Sequence, residues 1–377
     1  MLSEIKEKLN GDIHVIHIIT TIEIGGAENQ LLLLAEEQIQ LGLKVLIVPL
    51  KGKNSLNLDF SKIGANVDLT FTNKNFLYQI LKFKLLIKKF SPLNTIIHAH
   101  LPQAELVSRF ATSREYSRIV TRHFGGKFYP KSMKCISSWL GRIASGNSSQ
   151  VVAISNSVAK MLALNNEIHN IKLITRIYYG FSERRFKNFN FTFDSNMDRP
   201  QIIIGTIARL SKEKDLETLI ISFSKFKSIY PDSTLRIIGE GPEKINLEKK
   251  AAEVGVAKSI EWLGKQKDVY YWLKTFDIFV LTSKFEGFGM VLLEAMFAEK
   301  RIVCAKNSAI EEIINDSHAG VLFETSNTED LVLKLVECIN MDFTEFKEDQ
   351  NKVLSNFTVK KSALAHKNLY LGILNKQ

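Results

Sequence analysis

Short apolar runs alternate along the chain with longer stretches of helical periodicity. Residues 13–19, I-H-V-I-H-I-I, predict a first strand, followed by a helix over Leu31 to Leu41 and a strand over Lys44 to Leu50. A helix over Lys74 to Phe90 comes next, then strands at Thr95 to His98 and Ser117 to Thr121, and a strand running into a helix cap over Val151 to Ser157. A second series starts after residue 200, with strands at Gln201 to Ala208, Leu235 to Gly239, Glu261 to Gly264 and Phe276 to Ser283, and helices at Leu216 to Phe226 and Met290 to Ala298. Repeated alternation of this kind predicts an α/β protein whose parallel sheets are covered by helices on both faces.

The chain of 377 residues is too long for one comfortable core. Its stretch 183–200, E-R-R-F-K-N-F-N-F-T-F-D-S-N-M-D-R-P, is polar, aperiodic and closed by a proline, so it reads as a linker between domains 1–182 and 201–357. A last amphipathic helix covers Thr358 to Leu374.

Candidate chemistry collects where strands hand over to helices. In F-E-G-F-G-M-V-L-L-E, Phe285 to Glu294, the glycines Gly287 and Gly289 sit at such a junction, where open backbone N–H groups favour an anion. Glu286 and Glu294 bracket it and can accept hydrogen bonds from sugar or ribose hydroxyls. Arg209 and Lys214 leave the end of another strand together, as two cations suited to a pyrophosphate. Gly25-Gly26 follows the first strand, and His98, His100 and His123 stand at strand ends, the edge where open α/β sheets bind ligands. Each feature also has a bland reading: a tight turn, a solvated basic loop or a structural histidine.

Glu286 and Glu294, with seven residues between them, resemble the E-x7-E signature of the family 4 retaining glycosyltransferases, which have the GT-B fold. Arg209 and Lys214 match the R-x4-K motif of that family, and the resemblance extends over nearly the whole chain. It implies two Rossmann-like parallel-sheet domains facing across a cleft, an acceptor side at 1–182 and a nucleotide-sugar donor side at 201–357, with the helix at 358–377 returning to the first domain. It further implies that Gly25 and Gly26 lie against the donor phosphates and that His123 reaches the donor sugar near the reacting carbon. Arg209 and Lys214 would hold the pyrophosphate, and the turn at Gly239 would frame the nucleoside. Gly287, Phe288, Gly289, Met290, Val291 and Glu294 would form the rest of the donor site, and Glu286 would act at the sugar. Departures from the family pattern are Phe124 in place of an Asp, Tyr179 in place of an Asn, and Ser308-Ala309 in place of a glycine pair.

The implied activity is transfer of a hexosyl group, with retention, from a nucleotide diphosphate sugar to a hydroxyl on a glycan or lipid-linked acceptor, in surface polysaccharide, lipopolysaccharide or lipid-linked glycan synthesis. No D-x-D occurs, so no metal and no cofactor are expected. The alternatives are a nucleotide-sugar epimerase of the same fold and a dinucleotide-dependent oxidoreductase; the latter is disfavoured because neither half carries G-x-G-x-x-G. Cys135, Cys304 and Cys338 lack metal-ligand spacing and are odd in number, which fits a reducing compartment. With no long apolar run and no signal-peptide core at the N-terminus, the expected location is cytoplasmic.

Charge changes this picture in one respect. Of the formal net charge of +10, all lies in residues 1–182, which hold 22 basic and 12 acidic side chains. The segment 69–104 has no acidic residue and five lysines, Lys74, Lys82, Lys84, Lys88 and Lys89, around an apolar stripe of Phe76, Ile80, Phe83, Ile87 and Phe90. This pattern predicts peripheral contact with an anionic membrane surface, on the cytoplasmic face of an inner membrane, and no nucleic-acid partner.

Overall fold

The computed structural model describes residues 12–129, 133–186, 201–266, 268–314 and 317–376. No helix among them is long and apolar enough to cross a membrane. The chain divides into two compact units, residues 1–180 with 357–377, and residues 181–356. From residue 187 on, the segment read as a linker lies outside the described residues.

The first unit is built on seven strands: β1 (His14–Thr21), β2 (Lys44–Lys51), β3 (Asn66–Val67), β4 (Thr95–His100), β5 (Ser117–Arg122), β6 (Gln150–Ala153) and β7 (Ile174–Arg176). They pair in parallel in the order β3-β2-β1-β4-β5-β6-β7, so the strand order reverses between β1 and β4. Alternate side chains of these strands feed separate cores, as period-two geometry requires. Ile16, Ile18, Val48 and Ile97 pack with Phe83 and Ile87, whereas Val15, Ile96, Ile119 and Val152 pack with Tyr370, Leu371 and Leu374 of the Val359–Leu374 helix. That last helix therefore belongs to the first unit, where Lys367 Nζ donates to the Leu41 carbonyl at 2.8 Å and Ser362 Oγ to the Tyr178 carbonyl at 2.8 Å.

Three sequence expectations shift here. The first helix spans Gly26–Gln40 and so begins five residues before Leu31, because its opening turn, Gly26 to Asn29, is polar and invisible to a search for apolar spacing. β4 runs on to His100, so His98 lies two residues inside the strand while His100 ends it as expected, and both are buried, 0% and 1% exposed. The helix Phe76–Ile87, capped by Asn75, buries Phe83 and Ile87, but Phe76 is 38% exposed. A second apolar row, Leu77, Leu81 and Leu85, lies 64–72% exposed on its outer side.

The second unit carries β8 (Ile203–Ile207), β9 (Thr234–Ile238), β10 (Ile260–Gly264), β11 (Ile278–Leu281), β12 (Arg301–Ala305) and β13 (Val321–Phe323). They are parallel in the order β10-β9-β8-β11-β12-β13, with the reversal between β8 and β11. Ile204, Ile237, Val280 and Val303 form its core with Leu219, Phe223 and Phe226 of the Leu216–Ile229 helix and Leu331 and Leu335 of the Thr328–Asn340 helix. Each unit thus offers one topological switch point, the place in a doubly wound sheet where the loops diverge and leave a crevice.

Candidate functional site

In the second unit the chain leaving β8 carries Arg209 and the turn Lys212–Lys214, and the chain leaving β11 carries Thr282 to Gly289. The two segments meet at the switch point. Lys214 Nζ donates to Glu286 Oε1 at 2.6 Å, and Ser283 Oγ donates to the same oxygen at 2.7 Å. The loops are laced together behind this pair: Thr282 Oγ1 donates to the Lys214 carbonyl at 2.8 Å, and the Lys284 amide to the Glu213 carbonyl at 2.9 Å. Asn307, just past β12, donates through Nδ2 to the Ser283 carbonyl at 2.9 Å. With side chains 20% and 11% exposed, Lys214 and Glu286 are sheltered enough for their attraction to be felt more strongly than at an open surface. Arg209 is exposed.

Gly239 has φ 134°, and a Cβ there would stand 1.9 Å from the Ala208 carbonyl oxygen. Its glycine lets the turn after β9 lie against the segment after β8, where the Leu210 amide donates to the Glu240 carbonyl and the Glu243 amide to the Leu210 carbonyl, both at 3.0 Å. Gly239 thereby shapes the loop that carries Arg209. Gly289 caps the Met290–Phe297 helix with φ 93°, Phe288 is buried beneath it, and Gly287, Met290, Val291 and Glu294 are half-buried around that helix start. Ser308 is the first residue of the Ser308–Ile314 helix.

In the first unit Gly25 is extended and Gly26 opens the Gly26–Gln40 helix. A side chain at Gly26 would meet nothing within 4 Å, and one at Gly25 would meet only the flexible Glu28 side chain, so internal packing does not demand glycine at either position. Close approach of a ligand would. Beyond β4, Leu101 is held at φ 70°, ψ 154°, a conformation that costs a side-chain-bearing residue about 1–3 kcal/mol. Leu101 lines a recess with Glu105, Arg122, His123, Phe124 and Lys127. Behind this recess Arg122 is ion-paired to Glu105 at 3.0 Å and Glu167 at 2.8 Å, all three side chains at most 5% exposed.

His123 directly follows β5 and is hydrogen-bonded through Nε2 to His100 at 3.1 Å and through Nδ1 to the Tyr179 hydroxyl. Burial pushes its pKa down to about 3, so at neutral pH the ring is uncharged. Tyr179, noted in the sequence only as a departure from a family pattern, is therefore a direct partner of the predicted histidine. His17 and Gln38 were not singled out at all: a His inside a strand and a Gln inside a helix give no sign that they will meet. Ser283 and Asn307 escaped notice for the same reason.

Comparison with known proteins follows the two-unit division. The family described as Glycosyltransferase Family 4 matches residues 24–184, and that described as Glycosyl transferases group 1 matches residues 188–354. Among curated relatives, the alpha-monoglucosyldiacylglycerol synthase of Acholeplasma laidlawii is 31% identical over 132 residues, covering 34% of this chain and 33% of that protein. The N-acetyl-alpha-D-glucosaminyl L-malate synthase of Bacillus anthracis is 25% identical over 234 residues, 59% of this chain and 60% of that protein. The matched part of the chain thus spans between a third and about three fifths of these two relatives. Among solved structures, a glycosyltransferase from Rickettsia africae superposes with a TM-score of 0.78 at 21% identity, covering 97% of this chain and 100% of that one. Anabaena Alr3699/HepE in complex with UDP and glucose gives 0.77 at 18% identity, covering 95% and 99%. These likenesses establish the fold, and together with the two family matches they show that the chain belongs to the family 4 glycosyltransferases of GT-B type.

Proposed function

We propose that the protein is a retaining glycosyltransferase that moves a sugar from a nucleotide diphosphate sugar to a hydroxyl of a glycan or lipid-linked acceptor, without a metal ion. The observation that carries this reading is the contact of Lys214 with Glu286 at the switch point of the second unit. Negative charge builds on the leaving pyrophosphate during transfer, and fixed cations placed in advance lower that barrier most effectively. Arg209, Lys214 and the helix start after Gly289 supply positive charge and a dipole on one sheet edge, which suits a diphosphate. Glu286, anchored by Lys214 and Ser283, is the carboxylate assigned to the sugar, and Glu294 to the ribose. In the first unit Gly25 and Gly26 are assigned to the donor phosphates and His123 to the sugar. A UDP-bound relative of the same fold makes uridine diphosphate sugars the first donors to try.

The reading is tested by incubating the protein with a panel of nucleotide sugars and a hydroxyl acceptor. The product is expected to keep the donor's anomeric configuration by NMR, with turnover unaffected by EDTA. An inverted linkage would refute retention, and loss of activity in chelator restored by magnesium or manganese would refute the metal-free route.

A membrane-facing acceptor fits the outer side of the Phe76–Ile87 helix. Leu77, Leu81 and Leu85 project there beside Phe76 and Phe110, whose rings are 6.4 Å apart, and Lys74, Lys84, Lys88 and Lys89 are exposed around them. Lys82 is turned back over the Phe71 ring, 5.0 Å from its centroid, and is not part of this rim. Each basic side chain near an anionic bilayer contributes about 1 kcal/mol. Sedimentation with anionic vesicles is therefore expected, weakened by salt and by changing Lys84, Lys88 and Lys89 together to Gln. Equal binding to neutral vesicles, or binding to neither kind, would remove the electrostatic docking.

A further inference from the structure

Eight polar side chains of the first unit are joined end to end. The Tyr179 hydroxyl meets His123 Nδ1; His123 Nε2 is 3.1 Å from His100 Nδ1, His100 Nε2 is 2.9 Å from His17 Nδ1, and His17 Nε2 is 2.8 Å from Gln38 Oε1. Continuing, Gln38 Nε2 is 3.0 Å from Tyr370 Oη, Tyr370 Oη is 2.8 Å from His98 Nδ1, and His98 Nε2 is 2.7 Å from Thr121 Oγ1. His17, Gln38, His98 and Tyr370 are wholly buried, and His100 is 1% exposed.

Chemistry gives this chain a direction. A neutral imidazole has one N–H and one bare nitrogen, so each link decides the next. Gln38 Oε1 can only accept, which places the His17 proton on Nε2 and leaves Nδ1 to accept. His100 must then donate from Nε2, His123 likewise, and the bare Nδ1 of His123 receives the Tyr179 hydroxyl proton. On the other side Gln38 Nε2 can only donate, so Tyr370 accepts it and passes its own proton to His98 Nδ1, and His98 donates from Nε2 to Thr121. In this direction both phenols donate to an imidazole nitrogen, their stronger role; in the reverse both would instead accept from an imidazole N–H.

We propose that this directed chain holds His123 as its Nε2–H tautomer with Nδ1 turned to Tyr179, so that Gln38, His17 and His100 are positioning residues for His123. The cavity that His123 and Tyr179 line with Gln30, Ser362 and His366 is thereby presented with a histidine whose orientation is set from inside the sheet. Burial lowers the pKa of His17, His98, His100 and His123, which keeps these four neutral as the directed pattern requires. The competing reading is a metal held by His17, His98 and His100, whose ring nitrogens come within 4.8 Å of one another. It would need nitrogens already engaged in hydrogen bonds.

Long-range 1H–15N spectra of 15N-histidine-labelled protein at pH 7.5, assigned by single substitutions, test the proposal. His17, His98, His100 and His123 are expected protonated at Nε2, and His366, whose Nδ1 donates to the Ser362 carbonyl at 2.9 Å, should show the opposite pattern. An Nδ1–H or mixed pattern at His123 in the unmodified protein, or stoichiometric zinc retained by it, would overturn the proposal. In Gln38→Met the chain loses its anchor, so His123 should become a mixture of tautomers, with kcat lowered about tenfold or more and donor KM unchanged. An unmixed Nε2–H signal in that variant would overturn the part given to Gln38. The effect on kcat rests on His123 facing the sugar; a mixed tautomer with unchanged kcat would sustain the chain and overturn that role, which separates the two claims.

Discussion

Replacing Glu286 with alanine is expected to lower turnover by about two orders of magnitude or more while the protein stays folded, on the scale seen when one preorganised electrostatic contact is lost at a reacting centre. Glu286 Oε1 receives both Lys214 Nζ and Ser283 Oγ, so the substitution removes a carboxylate and also frees the cation assigned to the leaving pyrophosphate. Lys214→Ala and Arg209→Ala should fall in the same range. Glu286→Gln separates the two effects, because an amide oxygen can still accept from Ser283 but carries no charge to hold Lys214. Single-turnover rates, checked against circular dichroism and melting temperature, decide the matter. Near-normal turnover in folded Glu286→Ala would remove this carboxylate from the reaction.

Acid is expected to unfold the first unit before the second. Burial lowers the pKa of His17 and of His366 to about 4, whereas the unfolded chain protonates them near 6.5. Their contribution is complete above pH 6.5 and is lost as the pH falls from there through 4, because only the unfolded state takes up the protons. At pH 5 this amounts to on the order of 2 kcal/mol for each of the two, a large fraction of a typical folding free energy of about 5–15 kcal/mol. His98, His100 and His123 are shifted the same way. Glu105, pushed up to about 7 chiefly by burial, and Glu167, also raised by burial, act in the opposite sense: protonation favours their folded forms as the pH falls. They offset part of the loss, two carboxyls against five imidazoles. Amide hydrogen exchange at pH 7.5 and pH 5 should show protection falling first in β1, β4 and β5; equal protection at the two values would contradict it.

The architecture was legible because it is written in short-range patterns. Apolar strands and amphipathic helices repeat in order, and a parallel sheet with helical crossovers is almost the only way to bury both. The glycines, cations and carboxylates of the second unit could also be placed from spacing, since each sits where a strand ends and the local chain leads a side chain to the sheet edge. Boundaries were less secure where composition misleads. The polar opening turn hid the true start of the Gly26–Gln40 helix, and a helix apolar on two sides looked from its sequence like one broad stripe.

What the sequence determined by itself, then, was which residues lie at the ends of strands and which alternate into a core, because these depend on neighbours two to four positions away. Tertiary structure alone decided which of them touch. Lys214 reaches Glu286 only because β8 and β11, far apart in the chain, are adjacent in the sheet at its point of reversal. His98 was placed at a strand end and proved to lie inside β4, and His100, which does end it, proved to be buried, since the length of β4 is set by pairing with β1 and β5. The proton order running from Tyr179 to Thr121 joins residues from three strands and two helices with the chain beyond β5 and β7, and no local pattern encodes it: a buried polar atom takes whatever partner the packing brings within reach, and leaving it without one is costly.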